Sequence, residues 1–395
     1  EKRQGENQPY GQVWDVLGAA MYPKGHPYHH STIGSMNDLN AASLEDVKTW
    51  FKTWYGPNNA VLVLAGDIDV ATAREKVTKF FGDIPAGPSM AQPKVDVAAH
   101  SADSRAEMTD QVPQSRIYRV WNVAEYGAPD LDRLQLFAQI LGGAKSSRLD
   151  KRLVHQDKLV DNISAGAYGS QLSSTFMITA AVKQGVDVAK VEAAIDEELE
   201  KLLAEGPTAE EVTRNRTAIE AGWIRGVERI GGFGGKADAL AECAVFMGDP
   251  GCFRESLKTL AEATPEALRA TGNAWLGAGK GSHTLVVNPG KRVALQEEPA
   301  ATPTPFQTPK ADAKYKTVAS SVDRKTGVPM PASFPDLKFP QQQHATLSNG
   351  TKVVLAERHD IPVVQMSYEF RGGQAADPNG KPGMASFTMS LLDEG

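Results

Sequence analysis

Long apolar runs are missing from this chain. No stretch reaches the ~18 consecutive apolar residues that a membrane-spanning helix needs. The longest strand candidate, Ala60-Val61-Leu62-Val63-Leu64-Ala65, has the length and β-branched content of a buried strand. Positive charge is scarce as well. The 42 Lys and Arg against 48 Asp and Glu leave a formal net charge of -6. No Lys/Arg stripe with interleaved aromatics appears, so the composition does not support a nucleic-acid partner. Cysteine is almost absent, with only Cys243 and Cys252. They show neither CxxC spacing nor a neighbouring histidine. That favours two thiols of little consequence over a disulfide or metal pair and leaves the redox compartment open. A signal peptide is also lacking. With Glu1 in place of an initiating Met, the expectation is a chain whose start has been removed by processing or truncation.

What is present fits two or three globular domains: 395 residues, 41% hydrophobic and 23% charged. Ser43 with Asp46 resembles a capping box, and Leu44, Val47, Phe51 and Trp54 share one face of the helix that follows, which Gly56-Pro57 stops. The 60–65 strand comes next, then a helix opened by Asp69 that is expected to bury Val77, Phe80 and Phe81. A second segment carries candidate strands Ile117–Trp121 and Thr175–Val182. Its helix over 186–205 has Val188, Val191, Ile195, Leu199 and Leu202 on one stripe. It closes, like the first, with a helix near 265–276 and a strand at His283–Val287, an echo that hints at a duplicated α+β unit. From Pro289 to Pro340 lie nine of the 24 prolines, which reads as a linker extended over a surface. Beyond it, Ala345–Leu355 alternates around Ser348-Asn349-Gly350 as a hairpin.

Three motifs invite chemical readings and fail. Gly231-Gly232-Phe233-Gly234-Gly235-Lys236 has Ile230 where a phosphate loop needs its first glycine and Ala237 where it needs Ser or Thr. Leu141-Gly142-Gly143-Ala144-Lys145-Ser146-Ser147 lacks the glycine before its lysine. Both are better read as loops that need unusual backbone angles or close approach of another chain. The densest histidine cluster is His26-Pro27-Tyr28-His29-His30. Two imidazoles four apart hold zinc only on a helix, and Pro27 with the preceding Pro23-Lys24-Gly25 opposes one. This cluster is therefore not the expected catalytic site.

Other stretches carry a family resemblance. Glu1 through Gly11, Gly25-His26-Pro27-Tyr28, Ile33-Gly34 and Tyr55-Gly56-Pro57-Asn58-Asn59-Ala60 through Asp67 are similar to the pitrilysin/insulinase/mitochondrial-processing-peptidase family of zinc metallopeptidases. Leu141 through Leu149 and Ile230 through Asp238 resemble the loops of its second domain. The resemblance implies an α+β fold of repeated pitrilysin-like (LuxS/processing-peptidase-like) domains, each a mainly antiparallel sheet packed with helices. The implied boundaries are 1–92 for the C-terminal part of catalytic domain one and 93–288 for the second α+β domain. A Pro-rich linker follows at 289–340, then the start of a third domain at 341–395.

The family's inverted motif, H-x-x-E-H, supplies two zinc-binding imidazoles and a glutamate base; a second glutamate follows roughly seventy to eighty residues later. In the family that glutamate precedes a segment resembling Lys2–Gly11, and the residue in its place here is Glu1. The resemblance thus implies Zn2+ as cofactor with Glu1 as its metal ligand. The two histidine ligands lie outside this chain, which holds no catalytic residue and is inactive alone. Gly383 through Gly395 resembles the zinc helix of a second unit, but Ser386 and Ser390 stand where histidines belong and Met389 where the base belongs. That unit is expected to be a degenerate half. The implied substrate is a peptide or unfolded protein, added as a strand to a sheet edge. A second unit, in the same chain or a homologous partner, would close the chamber. The implied setting is a bacterial periplasm or secretion. The competing reading is a non-catalytic homologue that serves as scaffold or partner subunit.

Overall fold

The computed structural model describes residues 1–395 except 91–93, 95, 298, 301–309, 329, 332, 335, 337, 360–361 and 393–395. The expected boundary at 92/93 and the residues Asp393, Glu394 and Gly395 lie outside the described residues. Two compact units are present, Glu1–Met330 and Pro331–Gly395.

The first unit begins with helices α1 (Lys2–Glu6), α2 (Val13–Met21), α3 (Met36–Ala41), α4 (Leu44–Trp54) and α5 (Val70–Phe81). Strands β1 (Ser104–Asp110) and β2 (Arg116–Val123) follow, then α6 (Pro129–Gly142) and a π-helical stretch Asp150–Gln156. Next come β3 (Val160–Tyr168), β4 (Ser174–Val182), α7 (Val188–Glu205), α8 (Ala209–Val227), α9 (Lys236–Met247), α10 (Phe253–Ala261), α11 (Pro265–Leu276) and β5 (His283–Pro289). The five strands form one sheet in the order β1-β5-β2-β4-β3, antiparallel throughout except for the parallel β1/β5 pair. This is the mixed α+β, mainly antiparallel arrangement the sequence implied.

Alternation along β2 explains how both faces of the sheet are covered. Ile117, Trp121 and Val123 point into a core built with Phe137 of α6, Phe176 of β4 and Leu199 of α7. Tyr118 and Val120 point the other way, where Val13, Leu17 and Met21 of α2 cover them at helical spacing. Asn122 secures that face by donating from Nδ2 to the Met21 and Ala98 carbonyls at 2.8 and 2.7 Å. The α7 stripe runs as expected, with Val191, Ile195, Leu199 and Leu202 buried.

The α4 capping box forms, with Ser43 and Asp46 satisfying each other's backbone N–H groups. Three expectations are corrected. Residues 60–65 form no strand, and Val61, Leu62 and Leu64 are each about half exposed. A strand is buried only when neighbours supply its ladder and cover its faces, and no described residue does so here. For the same reason Leu44, Trp50 and Phe51 of α4 stay exposed, as does Phe81 of α5, while Val77 and Phe80 are half-buried. The third correction concerns the cysteines. Cys243, in α9, and Cys252, just before α10, form a disulfide across the turn between the two helices.

Within the Pro-rich stretch, residues 318–324 contact the end of α5 and the turn after it. Val318 N–H donates to the Gly82 carbonyl, Ser320 Oγ donates to the Lys79 carbonyl, and Arg324 binds both carboxylate oxygens of Asp83. The second unit, taken by itself, holds the expected hairpin of β6 (Gln342–Thr346) and β7 (Lys352–Ala356), turned at Gly350, and a short helix α12 (Met384–Ser390).

Candidate functional site

The one residue singled out for metal binding, Glu1, is the N-cap of α1. Its side chain caps no backbone N–H and makes no hydrogen bond or ion pair among the described residues, while its carbonyl accepts from Gly5 N–H at 2.9 Å. The neighbouring Lys2 is buried. Its ammonium lies 3.0 Å from Glu6 Oε1 and 3.6 Å from Glu297 Oε1. Burial alone would lower the Lys2 pKa, but the hydrogen bond to Glu6, helped by Asp15 and Glu297, holds it above its ordinary value.

Glu297 comes from the linker and also accepts the Met36 and Asn37 N–H groups, at 3.0 Å each, where α3 begins. Arg292, five residues earlier, donates to Asp110 Oδ1 at 2.5 Å and to the Gln8 carbonyl at 3.1 Å. Asp110 is buried and takes Tyr10 N–H on its other oxygen at 2.8 Å. Burial would raise the Asp110 pKa; Arg292 and the Tyr10 and Gln111 N–H groups outweigh it and hold it below the usual carboxylate value. Tyr10 adopts φ 62, with the Arg116 guanidinium 3.7 Å from its ring centroid.

Sequence reasoning missed Glu297, Arg292 and Asp110. The only local signal was the i,i+4 spacing of Lys2 and Glu6. The partners in the linker stand far away in the chain.

The histidine cluster has other work. Residues 26–30 form turns rather than a helix. The His26 ring is buried, stacks on Tyr22 at 4.6 Å and takes Tyr28 N–H on Nδ1 at 3.0 Å. Burial lowers its pKa, so the neutral form is favoured. His29 Nδ1 lies 2.6 Å from the Tyr22 carbonyl.

The glycine loops behave as the sequence suggested. A Cβ at Gly142 would lie 2.8 Å from Ala165 N, so α6 can approach β3 only with glycine there. Gly232 and Gly234 take φ 79 and 72. On α12, Ser386 and Ser390 lie one turn apart, and Ser390 Oγ donates to the Ser386 carbonyl at 3.0 Å.

Residues 41–219 match the family described as "Peptidase M16 inactive domain". The likeness to the M16 peptidase family thus covers somewhat under half of the chain. This is the pitrilysin-like family that the sequence resembles. Zinc protease PqqE of Helicobacter pylori is 27% identical over 236 residues, 56% of this chain and 51% of PqqE. Protein YhjJ of Salmonella typhimurium is 27% identical over 105 residues, 24% of this chain and 21% of YhjJ. The chain thus spans about half the length of PqqE.

Two solved structures share the M16 fold. A protease from H. pylori superposes with a TM-score of 0.66 at 22% identity, covering 73% of this chain and 68% of that one. The M16 inactive domain from Pseudomonas fluorescens gives 0.63 at 20% identity, covering 75% and 69%.

Zinc in protein sites takes four ligands, or three and a water. No group of three or more His, Cys, Asp or Glu suited to a metal occurs among the described residues. The described residues therefore offer no complete metal site. Glu1 adds one carboxylate, which caps no backbone N–H of α1.

Proposed function

We propose that this chain is an internal part of a zinc-dependent endopeptidase that hydrolyses peptides or unfolded polypeptides. It would contribute the end of catalytic domain one, the second α+β domain, the linker and the start of a degenerate second unit. The observation that carries this reading is the match to the M16 inactive domain, a unit belonging to a zinc metallopeptidase family. The likeness to a curated zinc protease supports it. In this reading Glu1 is a zinc ligand, and the H-x-x-E-H histidines lie upstream of it. Zinc, when bound, supplies Lewis-acid activation. Within this chain Glu1 is the residue that would hold the metal.

The uncovered apolar faces of residues 44–64 support a first domain whose remaining strands are absent from this chain. On α12, Ser386, Met389 and Ser390 support a second unit without metal chemistry, because hydroxyls and a thioether make poor zinc ligands. The Cys243–Cys252 disulfide favours an oxidising compartment, in keeping with periplasmic or secreted placement. No helix among the described residues is long and apolar enough to cross a membrane.

The test is expression of the complete open reading frame, followed by zinc analysis and digestion of an unfolded polypeptide. One zinc per active unit and cleavage are expected, both lost in Glu1→Gln, while the chain 1–395 alone cleaves nothing. A complete product that binds no zinc and cleaves nothing would leave the non-catalytic homologue, for which the inactive-domain match also speaks.

A further inference from the structure

We propose that residues 318–324 of the Pro-rich linker are a releasable strap that closes the C-terminal end of α5 and sets where the connection to the second unit begins. The strap does not depend on the metal reading.

An α-helix leaves its last four carbonyls without partners inside the helix. In α5 they belong to Thr78, Lys79, Phe80 and Phe81. Thr78 takes the Gly82 N–H at 3.0 Å and Phe81 takes the Ile84 N–H at 3.1 Å. The linker meets the other two. Ser320 Oγ donates to the Lys79 carbonyl at 3.0 Å, and Arg324 Nη2 donates to the Phe80 carbonyl at 2.9 Å. Val318 N–H adds the Gly82 carbonyl, just past the helix, at 2.7 Å. The linker donors thus land on the acceptors that the end of α5 leaves open. The Arg324 cation also meets the negative end of the helix dipole there.

Local bonds shape the strap for this contact. Ser320 Oγ accepts Val322 N–H at 3.1 Å, and Asp323 caps the short 3-10 turn Arg324–Thr326 by accepting Lys325 N–H at 3.0 Å. From that turn the Arg324 guanidinium reaches both oxygens of Asp83, at 2.7 and 2.6 Å. Yet no residue of α5 is buried, and Val318 is 52% exposed. An open groove of about 540 Å³ lies between α5 and residues 319–321. A contact made of polar bonds, with no buried apolar side chain, belongs to the parts of a protein that open locally at low cost. Docked, the strap ties the linker down as far as Arg324. Released, it adds its own length to the connection.

The experiment uses the product of the complete open reading frame and follows amide hydrogen exchange by mass spectrometry over peptides covering 316–326, with peptides covering β5 as the reference. Residues 318–324 of the unsubstituted protein are expected to exchange more slowly than an unstructured chain. Asp83→Asn and Arg324→Gln should each speed exchange there by up to about fivefold, the range for an exposed ion pair, and leave β5 unchanged. The double variant should add nothing to Arg324→Gln, because both changes break one contact. Salt at 1 M, where the Debye length is about 3 Å, should speed exchange in the unsubstituted protein but not in the double variant. If residues 318–324 of the unsubstituted protein exchange like an unstructured chain, no strap is docked and the proposal fails. Exchange that neither substitution alters would remove Arg324 as the anchor and overturn it. Acceleration that reaches β5 equally would mark general destabilisation in place of strap release, and would overturn it as well.

Discussion

Arg148 and Glu211 meet side by side, Nε to Oε1 at 2.9 Å and Nη2 to Oε2 at 2.8 Å. Arg148 stands after the glycine loop that follows α6. Glu211 is the third residue of α8 and completes its capping box by accepting Thr208 N–H at 2.8 Å. One carboxylate therefore starts a helix and fastens it to the loop that follows α6. Burial would raise the Glu211 pKa, but the Arg148 guanidinium and the Thr208 N–H prevail and bring it down from 4.5 to about 2.

The sign of the resulting pH dependence follows from linkage. A carboxylate with a depressed folded-state pKa contributes stability fully above its unfolded value, and loses it as pH falls through the folded value. Glu211→Gln is expected to cost about 1.5–3 kcal/mol at neutral pH, the range for hydrogen bonds to charged groups. That gap should shrink between pH 4.5 and about pH 2. Urea unfolding of both proteins across that window checks it, and a gap that does not change with pH would contradict the assignment.

At Gly142 two effects compete, and their magnitudes decide. Helix propensity alone favours Gly→Ala by at most about 1 kcal/mol. Packing opposes it, because the new Cβ would lie 2.8 Å from Ala165 N and 2.9 Å from Ala165 Cβ, and a backbone atom in β3 cannot swing aside. Overpacking of this kind costs about 1–3 kcal/mol. Gly142→Ala is therefore expected to destabilise by up to about 2 kcal/mol in equilibrium unfolding. A stabilised variant would mean that α6 and β3 are not in contact at this point.

The disulfide between Cys243 and Cys252 closes a loop spanning a sequence separation of 9. Closing a short loop stabilises by about 2–3 kcal/mol on the chain-entropy account. Protein prepared without reductant should show no free thiol until it is denatured and reduced. Cys243→Ser/Cys252→Ser should unfold at lower denaturant by a corresponding amount. Two thiols titrating in the native, unreduced protein would refute the bond.

What the sequence made legible was local. The Ser43–Asp46 capping box, the α7 stripe, α11, β5 and the hairpin around Gly350 rest on contacts within a few residues or on strict periodicity, and each forms where expected. The run Ala60–Ala65 shows why the rest was harder. Its composition is that of a strand, yet a strand exists only through its partners, and none is present among the described residues. The cysteine pair was misjudged because spacing says nothing of how α9 and α10 turn back on each other. Of the candidate site, resemblance reached Glu1. The ties of Glu297 to Lys2 and of Arg292 to Gln8 were invisible because they join residues more than 280 positions apart, and no periodicity records such a contact.

The α12 helix allows the degenerate-unit reading to be tested by construction. Ser386 and Ser390 are one turn apart and Met389 lies beside them. Replacing Ser386→His, Met389→Glu and Ser390→His writes H-x-x-E-H on that helix, with both imidazoles on one face. The substituted chain is expected to take up zinc at this helix, while the unsubstituted chain does not. Two imidazoles without a third ligand bind modestly, so the comparison needs a control. Ser386→His with Thr388→His puts the rings two residues apart, on different faces, and should bind about tenfold more weakly or less. Calorimetric titration of the three proteins with zinc measures the difference. Equal zinc uptake by the substituted chain and the control would mean that 386 and 390 do not share a helical face. The segment would then not correspond to a zinc helix, and the degenerate-unit reading would lose its structural basis.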